Sequence, residues 1–299
     1  MKKVAAILVT YNRLELLKKS INALENQSFP LEHIIIINNN SNDGTDSYLE
    51  KYRGNKKYIV VNSNENLGGA GGFNLGMKKA YNNTDDDYFW IMDDDTIPEV
   101  EALQNLLNSA NFLNDQFGYL CSNVYWKDGT ASNIPKTSNS WTRHAKEGLV
   151  ETTEATFVSV FTTRIAVRKV GFPISDIFIW GDDTEYTLRL CRYEKSYLVV
   201  NSLVLHKSAQ KTVNLTLVSD DSERLPRYFY LIRNVMYIRK KYYNDSLIKL
   251  TIKHLKIAYN ILLRSNDRKL KRLKILSKGY IAGVKFNPKI ERVINDKKK

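Results

Sequence analysis

Three adjacent carboxylates, Asp93, Asp94 and Asp95, follow five large apolar residues at positions 88–92. The apolar run is short and aromatic, which predicts a buried strand. Carboxylates at the mouth of such a strand repel one another and are poorly solvated, so a cation is expected among them. A divalent ion with oxygen ligands, itself holding a phosphorylated substrate, meets that need. Strand side chains alternate, so Asp93 and Asp95 face one way and share the ion while Asp94 faces the other. An acidic triplet is also what a solvated turn looks like. Asp85-Asp86-Asp87, behind Asn82-Asn83-Thr84, reads as such a turn.

A second constellation is Trp180-Gly181-Asp182-Asp183-Thr184-Glu185-Tyr186. Gly181 permits a turn, and the carboxylates fall at a helix N-terminus. The helix dipole stabilises charge there, so simple caps are one reading. The other is a general base aimed at a crevice, with Trp180 as a platform for an acceptor. His206 ends an apolar strand and is a candidate third ligand, imidazole being a common one. The stretch Leu67-Gly68-Gly69-Ala70-Gly71-Gly72-Phe73-Asn74 is glycine-rich. It is not a dinucleotide fingerprint, which needs glycine at 74. It is not a P-loop either, because Met77 and Lys78 follow Gly76. A turn and helix start remain, where backbone can come close to a ligand.

The surrounding pattern supplies a scaffold for these groups. Strands are expected over residues 4–10, 33–37, 57–61 and 88–92, with helices over 14–24, 45–52 and 68–81 between them. That alternation predicts right-handed βαβ units in an α/β fold with a mostly parallel, doubly wound sheet and helices on both faces. Asn12, Asn38 to Asp43, Asn66 and Asp93 to Asp95 all fall at carboxyl ends of strands, where the ligand crevice of such sheets lies. Beyond them a helix is expected over 99–113 and strands over 117–126, 156–162, 197–200 and 203–205. Residues 127–148 read as a polar, turn-rich loop, either at the surface or facing an acceptor.

The chain has 299 residues, 45 Lys and Arg, 32 Asp and Glu, and a net charge of +13. The charge is uneven. Residues 223–299 hold 22 basic and 5 acidic residues, net +17; residues 1–222 hold 23 and 27, net −4. This divides the chain into a mildly acidic body, 1–222, and a basic, helically patterned section, 223–299. Such asymmetry points to a polyanion partner. The basic section has no nucleic-acid-binding motif, so an anionic membrane surface is the expected partner and nucleic acid is not. Cys121 and Cys191 lack disulfide or zinc spacing, which fits a reducing cytosol. The apolar start breaks at Tyr11-Asn12-Arg13, so a core strand rather than a signal peptide is expected.

Taken together, these motifs resemble family 2 of the glycosyltransferases, with the GT-A fold, and within it the bacterial galactofuranosyltransferases and rhamnosyltransferases. The residues that carry the resemblance are Val9-Thr-Tyr-Asn-Arg13, Asn38-Asn-Asn-Ser-Asn-Asp-Gly-Thr45, Asn66-Leu-Gly-Gly-Ala-Gly-Gly-Phe73, Asp93-Asp94-Asp95 and Trp180-Gly-Asp-Asp-Thr-Glu-Tyr186. It extends over about residues 3–240. It implies inverting sugar transfer from a nucleotide sugar, UDP-galactofuranose or else dTDP-rhamnose, to a lipid-linked oligosaccharide in polysaccharide synthesis. By motif position, Thr10, Asn12 and Arg13 would line the nucleotide pocket, with Asn38 and Asn66 near base and ribose. Asn38 stands where most of the family has Asp. Gly69 and Gly72 would let the chain pass close to the donor, with Asp94 facing the sugar or bracing the turn. Asp93, Asp95 and His206 would hold Mn²⁺ or Mg²⁺. Asp183 would be the catalytic base, with Trp180 and Asp182 on the acceptor side. The enzyme would be cytoplasmic and peripheral to the inner face of the cell membrane. The oligomeric state, a homo-oligomer included, stays open.

Overall fold

The computed structural model describes residues 2–207, 216–220 and 223–293. In chain order its elements are β1 (Val4–Thr10), α1 (Leu14–Glu25), β2 (His33–Asn38), α2 (Thr45–Leu49), β3 (Tyr58–Asn62), α3 (Gly68–Asn83), β4 (Tyr88–Asp93), β5 (Thr96–Pro98), α4 (Ala102–Phe112) and β6 (Leu120–Trp126). There follow β7 (Lys136–Thr137), β8 (Leu149–Glu154), β9 (Val160–Thr163), α5 (Arg164–Val170), α6 (Asp182–Tyr193), β10 (Ser196–His206), α7 (Tyr228–Tyr243), α8 (Leu247–Arg264) and α9 (Lys269–Lys285). The strands form one sheet in the order β3-β2-β1-β4-β9-β6-β10-β8-β7, with β5 pairing β10 off this path. The first four strands are parallel. β9 enters antiparallel between β4 and β6, and β10 lies parallel to β6 and antiparallel to β5 and β8.

Alternation along β1 shows why both faces are covered. Val4, Ala6 and Leu8 join Leu17, Ile21 and Leu24 of α1 and Leu103 and Leu106 of α4 in one core. Ala5, Ile7 and Val9 join Phe73 and Met77 of α3, Val167 of α5 and Leu190 of α6 in the other. A strand buried on both sides reads as an unbroken apolar run, which is what residues 4–9 are. The doubly wound α/β architecture is therefore present. Three strands have no counterpart in the sequence reading: β5, β7 and β8. The two short strands expected at 197–200 and 203–205 are one, β10, whose register against β6 shifts between Val199 and Leu203.

The basic section forms α7, α8 and α9. Gly279 and Gly283 of α9 let α7 approach closely: a Cβ at Gly279 would lie 2.9 Å from the Ile232 Cβ, and one at Gly283 2.7 Å from the Met236 Sδ. α7 also closes on the body, where Tyr237 and Ile238 pack with Ala70, Ile174 and Ile177. The chain then returns to the body at Glu291, whose carbonyl accepts from the Phe172 amide at 2.9 Å. Among the described residues no helix is long and apolar enough to cross a membrane.

Candidate active site

β4 delivers Asp93 at its last position, in register with Val9 of β1. The chain turns at Asp94 and Asp95 and leaves as β5, which pairs the end of β10 with Thr96 opposite His206. The Lys207 amide donates to the Asp95 carbonyl, 2.8 Å. This clip gathers one ligand atom each from Asp93, Asp95 and His206 within 4.8 Å of one another. His206 Nε2 lies 3.1 Å from Asp95 Oδ1, and Nδ1 lies 2.9 Å from Asn133 Oδ1. Asp93 and Asp95 do converge, but strand alternation is not the cause. The strand ends at Asp93, and the turn brings Asp95 round.

The charge state fits a cation site. Burial and the neighbouring Asp95 push the Asp93 carboxyl up to about 8. Burial likewise takes Asp94 to about 6, against the pull of Arg13. Burial acts the same way on Asp95, but the hydrogen bond and charge of His206, with Arg13, outweigh it and hold that carboxyl low. His206 is raised in turn: burial opposes its charge and Asp95 overcomes it. Two carboxylates and an imidazole are a ligand set suited to Mn²⁺ or Mg²⁺. A cation there would relieve the charge that burial makes costly at Asp93.

An open cavity of about 410 Å³ adjoins the cluster; Thr10, Tyr11, Asn12, Arg13, Asn39, Asn66, Gly69, Asp93, Asp94 and Arg227 are on its wall. Asp94 is braced from below: it accepts from the Thr10 hydroxyl at 2.8 Å and the Arg13 guanidinium at 3.2 Å. Arg13 also reaches Asp95 at 2.8 Å. Asn12, at φ 53, accepts from the Asn42 amide at 2.7 Å and so ties two loops together. The Asn66 side chain accepts from the Gly68 amide at 2.9 Å and from the Asn39 side chain at 3.0 Å. Asn39 in turn accepts from the Leu67 amide at 2.8 Å. These amides fix the start of α3, whose first residue, Gly68, has φ +70 and faces the Phe178 carbonyl with no room for a Cβ.

The turn before α6 is strained. Phe178 and Trp180 have φ 66 and 62, and Gly181 has φ 97. Bulky residues rarely take such angles, and where they do the surroundings must enforce them. Asn234 of α7 does so: its buried amide donates to the carbonyls of Ile177, Ile179 and Trp180 at 3.0, 3.0 and 2.8 Å. The Trp180 ring meets Tyr228 edge-on, centroids 5.2 Å apart. Asp182 points at the cavity wall, its Oδ2 3.6 Å from where a Gly69 Cβ would be. Burial and Asp183 push it up to about 8. Asp183 is also raised by burial, and its Oδ1 accepts from the Thr184 amide at 2.6 Å. Glu185 is structural: it pairs with Arg189 at 2.9 Å and accepts from the Tyr242 hydroxyl.

Two assignments change. Asn38 is not on the cavity wall. Its amide donates to Asn62 on the adjacent strand at 3.1 Å, and Asn39, one residue past the strand, is the side chain beside the cavity. Gly72 is not on the cavity wall either. A Cβ there would fall 2.5 Å from Val9 Cγ1, so it serves helix-on-strand packing. Asp182 lies beside the glycine-rich start of α3. The residues missed were Tyr11, Asn133, Arg227 and Asn234; Asn39 belongs to the 38–43 stretch already expected at the crevice. Tyr11 carried a signal, being at a strand end beside Asn12 and Arg13. The other three come from a loop and a helix far away in sequence, and nothing local marks them.

Comparison with known proteins agrees with this geometry. The family model described as Glycosyl transferase family 2 matches residues 5–170, more than half of the chain. Galactofuranosyltransferase GlfT1 of Mycolicibacterium smegmatis is 28% identical over 205 residues, 63% of this chain and 65% of that protein. GlfT1 of Mycobacterium tuberculosis is 30% identical over 202 residues, 63% and 64% of the two chains. The matched region thus spans about 65% of the length of these relatives. Among solved structures, GalNAc-T7 with UDP, GalNAc and Mn²⁺ superposes with TM-score 0.62 at 15% identity, over 93% of this chain and 55% of that one. S. aureus TarS 1-349 with UDP superposes with TM-score 0.54 at 13% identity, over 94% and 90%. At such identities the superpositions speak for the fold, which is GT-A. With a GT-A sheet, an Asp-Asp-His cluster at its carboxyl edge and a family match across its first 170 residues, the chain belongs to glycosyl transferase family 2.

Proposed function

We propose that this chain is an inverting, metal-dependent galactofuranosyltransferase that uses UDP-galactofuranose and acts on a lipid-linked oligosaccharide in bacterial polysaccharide synthesis. The observation that carries the reading is the meeting of the Asp93–Asp95–His206 cluster with an amide-lined cavity at one sheet edge. Galactofuranose is favoured over other sugars because both GlfT1 relatives bear that activity in their names.

Asp93, Asp95 and His206 would hold Mn²⁺ or Mg²⁺. Once bound, the ion supplies Lewis-acid neutralisation of the charge on a departing diphosphate. Thr10, Asn12, Arg13, Asn39 and Asn66 bind and orient the nucleotide, and Asp94 keeps Arg13 in place. Asp183 takes the proton of the acceptor hydroxyl. The hydroxyl oxygen then bonds to the anomeric carbon as the bond to the nucleoside diphosphate breaks, and attack on the opposite face inverts the centre. Trp180 supports the acceptor sugar. The setting is the inner face of the cell membrane, to which the basic C-terminal section is drawn.

A donor panel with Mn²⁺ or Mg²⁺ tests this. Turnover of UDP-galactofuranose is expected. Turnover of dTDP-rhamnose without UDP-galactofuranose would make the chain a rhamnosyltransferase, and no turnover of any nucleotide sugar would end the reading.

A further inference from the structure

We infer that α8 lies in the plane of an anionic bilayer, its outward apolar stripe inserted among the lipids, and that this helix docks the chain on the membrane. The inference deepens the reading above, resting on it for a lipid-borne acceptor. It adds which helix enters the bilayer, by which face, and that insertion as well as charge holds it there.

The helix has two apolar faces. Leu250, Ile257 and Ile261 turn inward and help to form the core shared with α7 and α9. On the opposite side Ile248, Ile252, Leu255, Tyr259, Leu262 and Leu263 point to solvent, with exposures from 50% to 74%. The first five are spaced by four, three, four and three residues, which puts them in one stripe of an α-helix. Single exposed apolar residues are ordinary, but six on one helix face are not. Intrinsic helix formation does not need them, and the core does not use them.

Charge selects the partner. Lys249, Lys253, Lys256 and Arg264 follow one flank of the stripe, and α8 contains no Asp or Glu. An apolar stripe edged with lysines fits hydrocarbon beside anionic headgroups. Four charges in a helix of 18 residues preclude spanning, in keeping with the lack of a membrane-crossing helix among the described residues. Ser246 caps the N-terminus of the helix, accepting from the Lys249 amide at 3.2 Å.

The test is flotation of the full chain with vesicles of phosphatidylcholine alone, or with about 30% phosphatidylglycerol, at about 0.1 M and about 0.5 M salt. Binding is expected on the anionic vesicles, weaker but present at the higher salt. Replacing Ile252, Leu255 and Tyr259 together by Ser should cut partitioning about tenfold or more at both salts. Changing Lys249, Lys253 and Lys256 to Gln should weaken it chiefly at low salt. Melting temperature and donor hydrolysis without vesicles should stay at wild-type values in both variants. Wild-type binding by the Ser variant would overturn the inference. So would equal binding to neutral vesicles, or a wild-type dimer in sedimentation that the Ser variant splits, which would give the stripe to a second copy. Failure of donor turnover in the wild type would instead strike the glycosyltransferase reading and leave the vesicle result standing.

Discussion

At the scale of single residues the site depends on how buried charges are matched. His206 Nδ1 lies against Asn133 Oδ1, which leaves Nε2 facing Asp95 and the ion site. Partners of this kind fix the tautomer of a ligating imidazole. Asn133→Ala should therefore weaken Mn²⁺ binding by about 10- to 100-fold, read by metal titration, with the fold intact by circular dichroism. An unchanged affinity would remove Asn133 from the site. The two Asp residues of α6 should separate by kinetics. Asp183→Asn is expected to lower kcat by about 10²- to 10⁴-fold while donor and metal still bind. Asp182→Asn, beside Gly69, should act mainly on the donor KM. If the two patterns are exchanged, Asp182 is the base.

At the scale of elements, the site is held by pieces that meet only in three dimensions. β5 is three residues long and includes Pro98, yet its pairing with β10 is what sets His206 beside Asp95. The strained turn 178–181 is held by Asn234, the twelfth residue of the basic section, near the centre of α7. Removing its amide leaves three carbonyls short of a donor, each costing about 1–3 kcal/mol if still buried. Asn234→Ala should lower the melting temperature by several degrees, and kcat should fall more than donor affinity does. Donor turnover and stability both at wild-type levels would show that the turn holds itself. The sequence showed that Gly181 could turn the chain. It gave no sign of Asn234, because a side chain that bonds to backbone imposes no pattern on the residues it touches.

At the scale of the whole molecule, burial of carboxylates sets a pH dependence. Asp93 and Asp182 both titrate near 8 in the folded protein, raised mainly by burial. In the unfolded chain each would ionise near about 4. Between those values the folded state holds protons that the unfolded state has lost, so stability falls as pH rises. These two groups should therefore make the metal-stripped protein melt at progressively lower temperature from about pH 4.5 to about pH 8, and saturating Mn²⁺ should reduce the slope. Scanning calorimetry with and without chelator checks this. A slope that Mn²⁺ leaves unaltered would argue that Asp93 is not a ligand. Asp85, which is exposed, is instead held low by its hydrogen bond and charge pair with Lys3.

What the sequence determined by itself was whatever short-range pattern can encode. Runs of apolar residues marked β1, β2 and β4, turn-forming residues marked their ends, and carboxyl-edge logic then gathered Asn12, Asn66 and the Asp triplet into one crevice. Charge counts separated a basic section from the body. Tertiary structure decided the rest, because it depended on contacts between distant segments. The choice of Asn39 over Asn38 followed from where β2 stops. The role of Gly72 followed from the depth at which α3 sits on Val9. The outward apolar stripe of α8 was hidden as well: periodicity showed an amphipathic helix, but only packing against α7 and α9 revealed which of its apolar residues were left facing solvent.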